Sequence, residues 1–150
     1  MEYPNLLPRF LKYVKVNSRS DEHSDRFPST EREENFQKNV IMKDLEDLGL
    51  SDIHYNQKAG SVIAEIPSNV DYDVPVMGFL AHSDTADFNS ENVKPQIHEN
   101  YDGKSKIQLG DSDFYLDPKV FPHLKNYKGQ TIITASGDTL LGGDDKCGVS

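Results

Sequence analysis

The sequence predicts an α/β fold, and three observations carry that expectation. Leu6, Leu7, Phe10, Leu11 and Val14 recur at helical spacing, as do Phe36, Val40, Ile41, Leu45 and Leu48. An unbroken apolar run, Val74 to Ala81 within "DVPVMGFLAH", has the composition of a central strand buried on both faces. Strand-like stretches follow, so helices and strands alternate along the 150 residues.

Each element has a local reason. Asn5 can cap the first helix, and Pro8 is tolerable in its first turn. Residues 17–29, "NSRSDEHSDRFPS", are polar and without period, and read as a surface loop. Thr30 opens a capping box with Glu33 three residues on, and Gly49 stands where the second helix needs a C-terminal cap. "DIHYN" and "SVIAEIP" flank the turn "QKAG". Beyond the buried run, residues 85–128 are loop-rich, with short strands expected at Gln96–Glu99 and Lys106–Leu109 and a helical turn near "PKVFPHLKNY". This excursion is too long for a plain connection, so it either works or packs as a subdomain. "QTIITAS" is a further strand, and "TLLGGDDKCGVS" reads as a strand handing over to a helix.

Composition excludes several classes. Twenty-five acidic residues against 16 basic give a net charge of -9, which repels a phosphate backbone, so no nucleic-acid partner is expected. No apolar run approaches the ~20 residues of a membrane span, and "MEYPNLLPRFLKYVKVN" lacks the pattern of a secretory signal. The single cysteine, Cys147, permits no internal disulfide. These features suit a cytoplasmic protein.

Two constellations can carry chemistry. In "AHSDTAD", His82 and Asp84 stand two apart at the end of the apolar run, which places them on one face of an extended chain. The carboxyl end of a central strand is where ligands bind in α/β sheets, and a carboxylate beside a histidine can hold the ring of a metal ligand. The bland alternative is a strand-end histidine bonded to backbone and an aspartate forming a turn. Asp87 reads as a loop residue. Ser83 is not a serine nucleophile, since it sits in no Gly-x-Ser-x-Gly turn. In "GGDD", Gly142 and Gly143 allow a tight turn before Asp144 and Asp145. One aspartate is explained as a helix cap; two exceed what a cap needs. The stretch lacks a phosphate-loop pattern, and adjacent carboxylates repel phosphate. "HENYDG" fails as a calcium loop at His98 and Leu109, leaving a turn at Asp102–Gly103. His23, His54 and His123 read as surface or packing residues.

Together, "GFLAHSDTADF", "ENVKPQIHENYDG", "FPHLKNYKGQTIIT" and "TLLGGDDK" resemble the peptidase T branch of the dinuclear-zinc exopeptidases, in order and spacing, over nearly all of the chain. The resemblance implies a cytoplasmic aminopeptidase that releases the N-terminal residue of tripeptides. It implies a catalytic domain with a mixed sheet flanked by helices, of which residues 1–150 are the N-terminal, incomplete part. The remainder of that domain and a dimerisation domain would lie elsewhere, and the full-length protein would be a homodimer acting on short peptides. His82 then matches a zinc ligand, Asp84 the aspartate that orients this imidazole and supports catalysis, and Asp144 the carboxylate bridging two zinc ions. The Asp144–Asp145 peptide is expected to be cis, with Asp145 a geometric element and Cys147 a small buried residue. The other ligands and the general base have no match within 150 residues, so this chain alone is expected to be inactive. The competing readings are another exopeptidase or deacylase of the same family, and a non-catalytic acidic interaction domain.

Overall fold

The computed structural model describes residues 3–150, which divide into two compact units. One comprises the N-terminal residues through Val16, Phe88–Gly143 and Ser150; the other comprises Asn17–Asp87 and Asp144–Val149.

In the first unit, helix α1 (Leu6–Val14) buries Phe10 and Val14 with Val93, and Leu11, Ile133 and Leu141 pack around them. The apolar spacing therefore selects the buried face as expected. Asn5 does not cap this helix: its backbone is itself helical and its side chain accepts no bond from the first turn, whereas an N-cap needs extended backbone. The long excursion is packed within this unit and not as a separate body, since its Val93 lies in the α1 cluster and its strand Gln96–His98 pairs outside it. Strand β3 (Gln96–His98) pairs antiparallel with β6 (Ile132–Thr134), and β4 (Ile107–Gln108) with β5 (Tyr115–Leu116). Tyr101, Ile107 and Leu124 are buried together against Leu116 and Ile132. Leu124 comes from the 3₁₀ turn Pro122–Tyr127, where helical character was expected. At the Asp102–Gly103 turn, Asp102 accepts the amides of Lys104 and Ser105, both at 2.7 Å, and the Ser105 hydroxyl at 2.6 Å. These bonds, the hydroxyl first, lower its pKa to about 2. His98 lies in the β3–β6 pair with Nε2 3.0 Å from the Thr134 hydroxyl, a packing role.

In the second unit, α2 (Glu31–Phe36), a π-helical turn (Gln37–Ile41) and α3 (Met42–Asp47) run on as one helical segment. The capping box is present in both halves: the Thr30 amide donates to Glu33 Oε1 at 2.7 Å, and the Glu33 amide donates to Thr30 Oγ1 at 3.3 Å. The far end closes on Gly49 at φ +79°, with the Gly49 amide on the Glu46 carbonyl and the Leu50 amide on the Leu45 carbonyl. That is a Schellman closure, which favours glycine at the left-handed position. The hairpin β1 (Ser51–Asn56) and β2 (Ser61–Glu65) is antiparallel, with a bulge between Ser51 and His54. The Gln37 amide pins it to the helix, donating to the Gly60 carbonyl at 2.9 Å while its oxygen accepts the Val62 amide at 3.0 Å.

The apolar run departs from expectation. Residues 74–82 form no strand, and Val76, Phe79 and Leu80 are 99%, 93% and 100% exposed. A central strand exists through hydrogen bonds to neighbours on both edges and layers on both faces. Among the described residues, none of the three two-stranded sheets includes this segment. The expected mixed sheet is accordingly not assembled; the strands present are short antiparallel pairs, and the α/β character is that of an incomplete piece.

Candidate metal centre

The second unit brings His82, Asp84 and Asp144 together. His82 Nδ1 lies 3.1 Å from Asp84 Oδ1 and 3.1 Å from the Asp84 backbone carbonyl. Its Nε2 lies 2.9 Å from Asp144 Oδ1, across 62 positions of sequence. The two-residue spacing keeps His82 and Asp84 on one side of an extended segment, as their sequence pattern suggested.

The aspartate pair divides its work. Gly142 at φ +76° turns the chain into α4 (Gly143–Val149), whose first aspartates are not helical: Asp144 has φ -93° and ψ 105°, Asp145 φ -118° and ψ 34°. The peptide between them is cis, as the resemblance implied. Asp145 Oδ1 accepts the Gly148 amide at 3.1 Å, the bond of a helix cap. A Cβ on Gly148 would come within 2.5 Å of that oxygen, so a larger residue there would have to displace the Asp145 carboxylate. Asp144, with capping done by its neighbour, points its carboxylate at His82 and is 97% exposed.

The electrostatics follow from this placement. Burial of the ring disfavours the charged imidazolium, but the Asp144 and Asp84 carboxylates together outweigh it and hold the His82 pKa above its ordinary value. With a carboxylate at each ring nitrogen, the metal-free ring is best satisfied when doubly protonated. A divalent cation replacing the Nε2 proton meets the same two donors, an imidazole nitrogen and a carboxylate oxygen, both suited to zinc. Asp84 would retain the Nδ1 proton and fix the ring's orientation. The residues present therefore fit part of a zinc site. Among the described residues, no group of three or more His, Cys, Asp or Glu side chains is placed to hold a metal ion.

Some features of the site lay outside the sequence reading. Lys146, two residues past Asp144, is 1% exposed, with Nζ 5.0 Å from the centre of the Phe36 ring, and burial lowers its pKa to about 8. Its signal was a cation inside a motif otherwise made of small residues and acids. Asp87 is more than a loop residue, since the Arg19 guanidinium approaches its Oδ1 to 2.6 Å. Cys147 is exposed, contrary to the buried role expected of it; its helix has only seven residues and packs Lys146 inward instead. Next to His82 and Asp84, an open hollow of about 480 Å³ is lined by Phe27, Pro28, Ile41, Val62 and Leu80, among others.

No family model matches the chain. Individual relatives do. The chain is 92% identical over 150 residues to Peptidase T of Lactobacillus helveticus, covering 100% of this chain and 36% of that protein. It is 55% identical to Peptidase T of Latilactobacillus sakei subsp. sakei (strain 23K), covering 99% of this chain and 36% of that protein. It is 53% identical to Peptidase T of Streptococcus pyogenes serotype M6, with 100% and 37% covered. The chain thus spans a little over a third of the length of these relatives. By residue identity along its whole length it matches a stretch of these Peptidase T sequences.

Proposed function

We propose that this chain contributes the His82–Asp84–Asp144 portion of a dinuclear zinc centre in a cytoplasmic aminopeptidase that releases the N-terminal residue of tripeptides. The observation that carries the reading is the contact of His82 with both aspartates, in a chain 92% identical to a protein named Peptidase T. In this reading His82 Nε2 and the Asp144 carboxylate would hold zinc. Asp84 holds the imidazole through Nδ1. Asp145 is assigned to the helix start and not to the ligand set, its Oδ1 accepting the Gly148 amide. Bound zinc supplies a Lewis acid for a peptide carbonyl and lowers the pKa of a coordinated water. On the same reading the further ligands and the general base would come from outside these 150 residues, which span 36% of the Lactobacillus helveticus protein.

The test uses the full-length protein that carries this sequence. It is expected to hold zinc, to cleave tripeptides at the free N-terminus and to leave dipeptides intact, and His82→Ala is expected to lose both metal and turnover. Equal zinc content and turnover in the His82→Ala protein would refute the reading.

A further inference from the structure

The stretch after α1, aperiodic in sequence, is in part deeply buried. Ser18 is 0% exposed and Thr85, on the segment just past Asp84, is 1% exposed. Residues 18–20 run parallel to residues 83–85, with Arg19 bridging Thr85. The Thr85 amide donates to the Ser18 carbonyl and the Ser20 amide to the Thr85 carbonyl, both at 3.0 Å. The Ser18 hydroxyl donates to the Ser83 carbonyl at 2.8 Å, and the Ser20 hydroxyl to the Thr85 carbonyl at 2.9 Å. Both neighbours of Asp84 in the chain are therefore tied to Ser18–Ser20. The Arg19 side chain adds a third tie: Nε and a terminal nitrogen each lie 2.6 Å from Asp87 Oδ1, and the other Asp87 oxygen accepts the Glu22 amide at 3.3 Å. The Arg19 carbonyl in turn accepts the hydroxyl of Thr30, the cap of α2, at 2.9 Å.

We propose that Arg19 is a positioning residue for the metal centre: by clasping Asp87 beside the pairing of residues 18–20 with residues 83–85, it holds the Asp84 carboxylate against His82 Nδ1 and so aims Nε2 at the metal. The inference rests on the zinc reading of His82 and Asp144. Arg19 touches neither ligand, and a partly exposed ion pair of this kind adds little to global stability. Its consequence is expected at the site, because residues that orient a ligand typically govern metal affinity by tenfold or more.

The experiment measures zinc affinity by chelator competition in the full-length protein, together with thermal stability, for the parent, Arg19→Ala, Arg19→Lys, Asp87→Asn and His82→Ala. Arg19→Ala and Asp87→Asn are expected to weaken zinc binding about tenfold with little change in melting temperature. Arg19→Lys, which keeps the charge but loses the planar fork, is expected to recover only part of that loss. Parent-like zinc affinity in both Arg19→Ala and Asp87→Asn, with His82→Ala strongly impaired, would overturn the positioning role and leave the zinc reading standing. Binding that is equal in the parent and His82→Ala would overturn the zinc reading and this inference with it. If Arg19→Ala fails to fold, Asp87→Asn and Arg19→Lys decide: an affinity equal to the parent in Asp87→Asn overturns the role, and a loss there with a smaller loss in Arg19→Lys supports it.

Discussion

Asp144 and Asp145 have the same side chain and adjoin in sequence, yet only one faces the histidine. Asp145 accepts the Gly148 amide and closes the start of a short helix, which leaves the Asp144 carboxylate directed at His82 Nε2. Sequence alone showed that two aspartates exceeded the needs of a cap, but not which one capped, because that depends on backbone angles the residue types do not encode. The division has a direct consequence. Asp144→Asn is expected to weaken zinc binding of the full-length protein at least a hundredfold, and Asp145→Asn, which keeps an acceptor for the Gly148 amide, by less than tenfold; titration calorimetry of both proteins checks this. Asp84→Asn should fall between them, at roughly 10–100-fold, since it disturbs the orientation of the ring and not its lone pair. Gly148→Ala is expected to act like a fault in the cap, displacing Asp145 by steric contact and lowering metal affinity without removing any ligand.

At the scale of elements, legibility followed the range of the interactions. The capping box at Thr30 and the glycine closure at Gly49 are local, involve residues within a few positions, and stood as read. Thr30→Ala is expected to cost about 1 kcal/mol, measurable as a lower denaturant midpoint at unchanged slope. Asn5, equally suitable by type, failed as a cap because its backbone is already helical. Segment 17–20 was unreadable as a pairing partner because its partner lies some 65 positions away and is held through backbone groups and serine hydroxyls, which leave no apolar period. The Asp102 turn, also local, was legible as a turn, and its bonds predict a pH dependence. Its pKa is depressed in the folded state, so its contribution is present above the ordinary carboxylate value and is lost as pH falls from about 4 toward about 2. Asp102→Ala is therefore expected to lower the melting temperature at neutral pH, with the gap to the parent narrowing over that acidic window in a series of thermal melts.

For the whole molecule, the chemistry-bearing motifs were more legible than the architecture around them. "AHSD" and "GGDD" are short, and each folds its own side chains into place once the chain turns back. The run Val74–Ala81 depends on partners along both edges and over both faces, and its composition was read correctly as apolar while its pairing is not present among the described residues. A surface carrying Val76, Phe79 and Leu80 in the open favours association. The 150-residue chain alone is expected to sediment as oligomers and to bind a hydrophobic dye, and Phe79→Lys with Leu80→Lys is expected to reduce both. No helix here is long and apolar enough to cross a membrane, so that surface is not part of a helical span among the described residues. The central claim, that His82 and Asp144 share a metal, is tested most directly by anomalous diffraction at the zinc edge on crystals of the full-length protein. The account predicts a zinc ion about 2.0–2.2 Å from both His82 Nε2 and an Asp144 carboxylate oxygen, with Asp84 on Nδ1. Zinc bound elsewhere, or held through Asp145 with Asp144 unliganded, would contradict it.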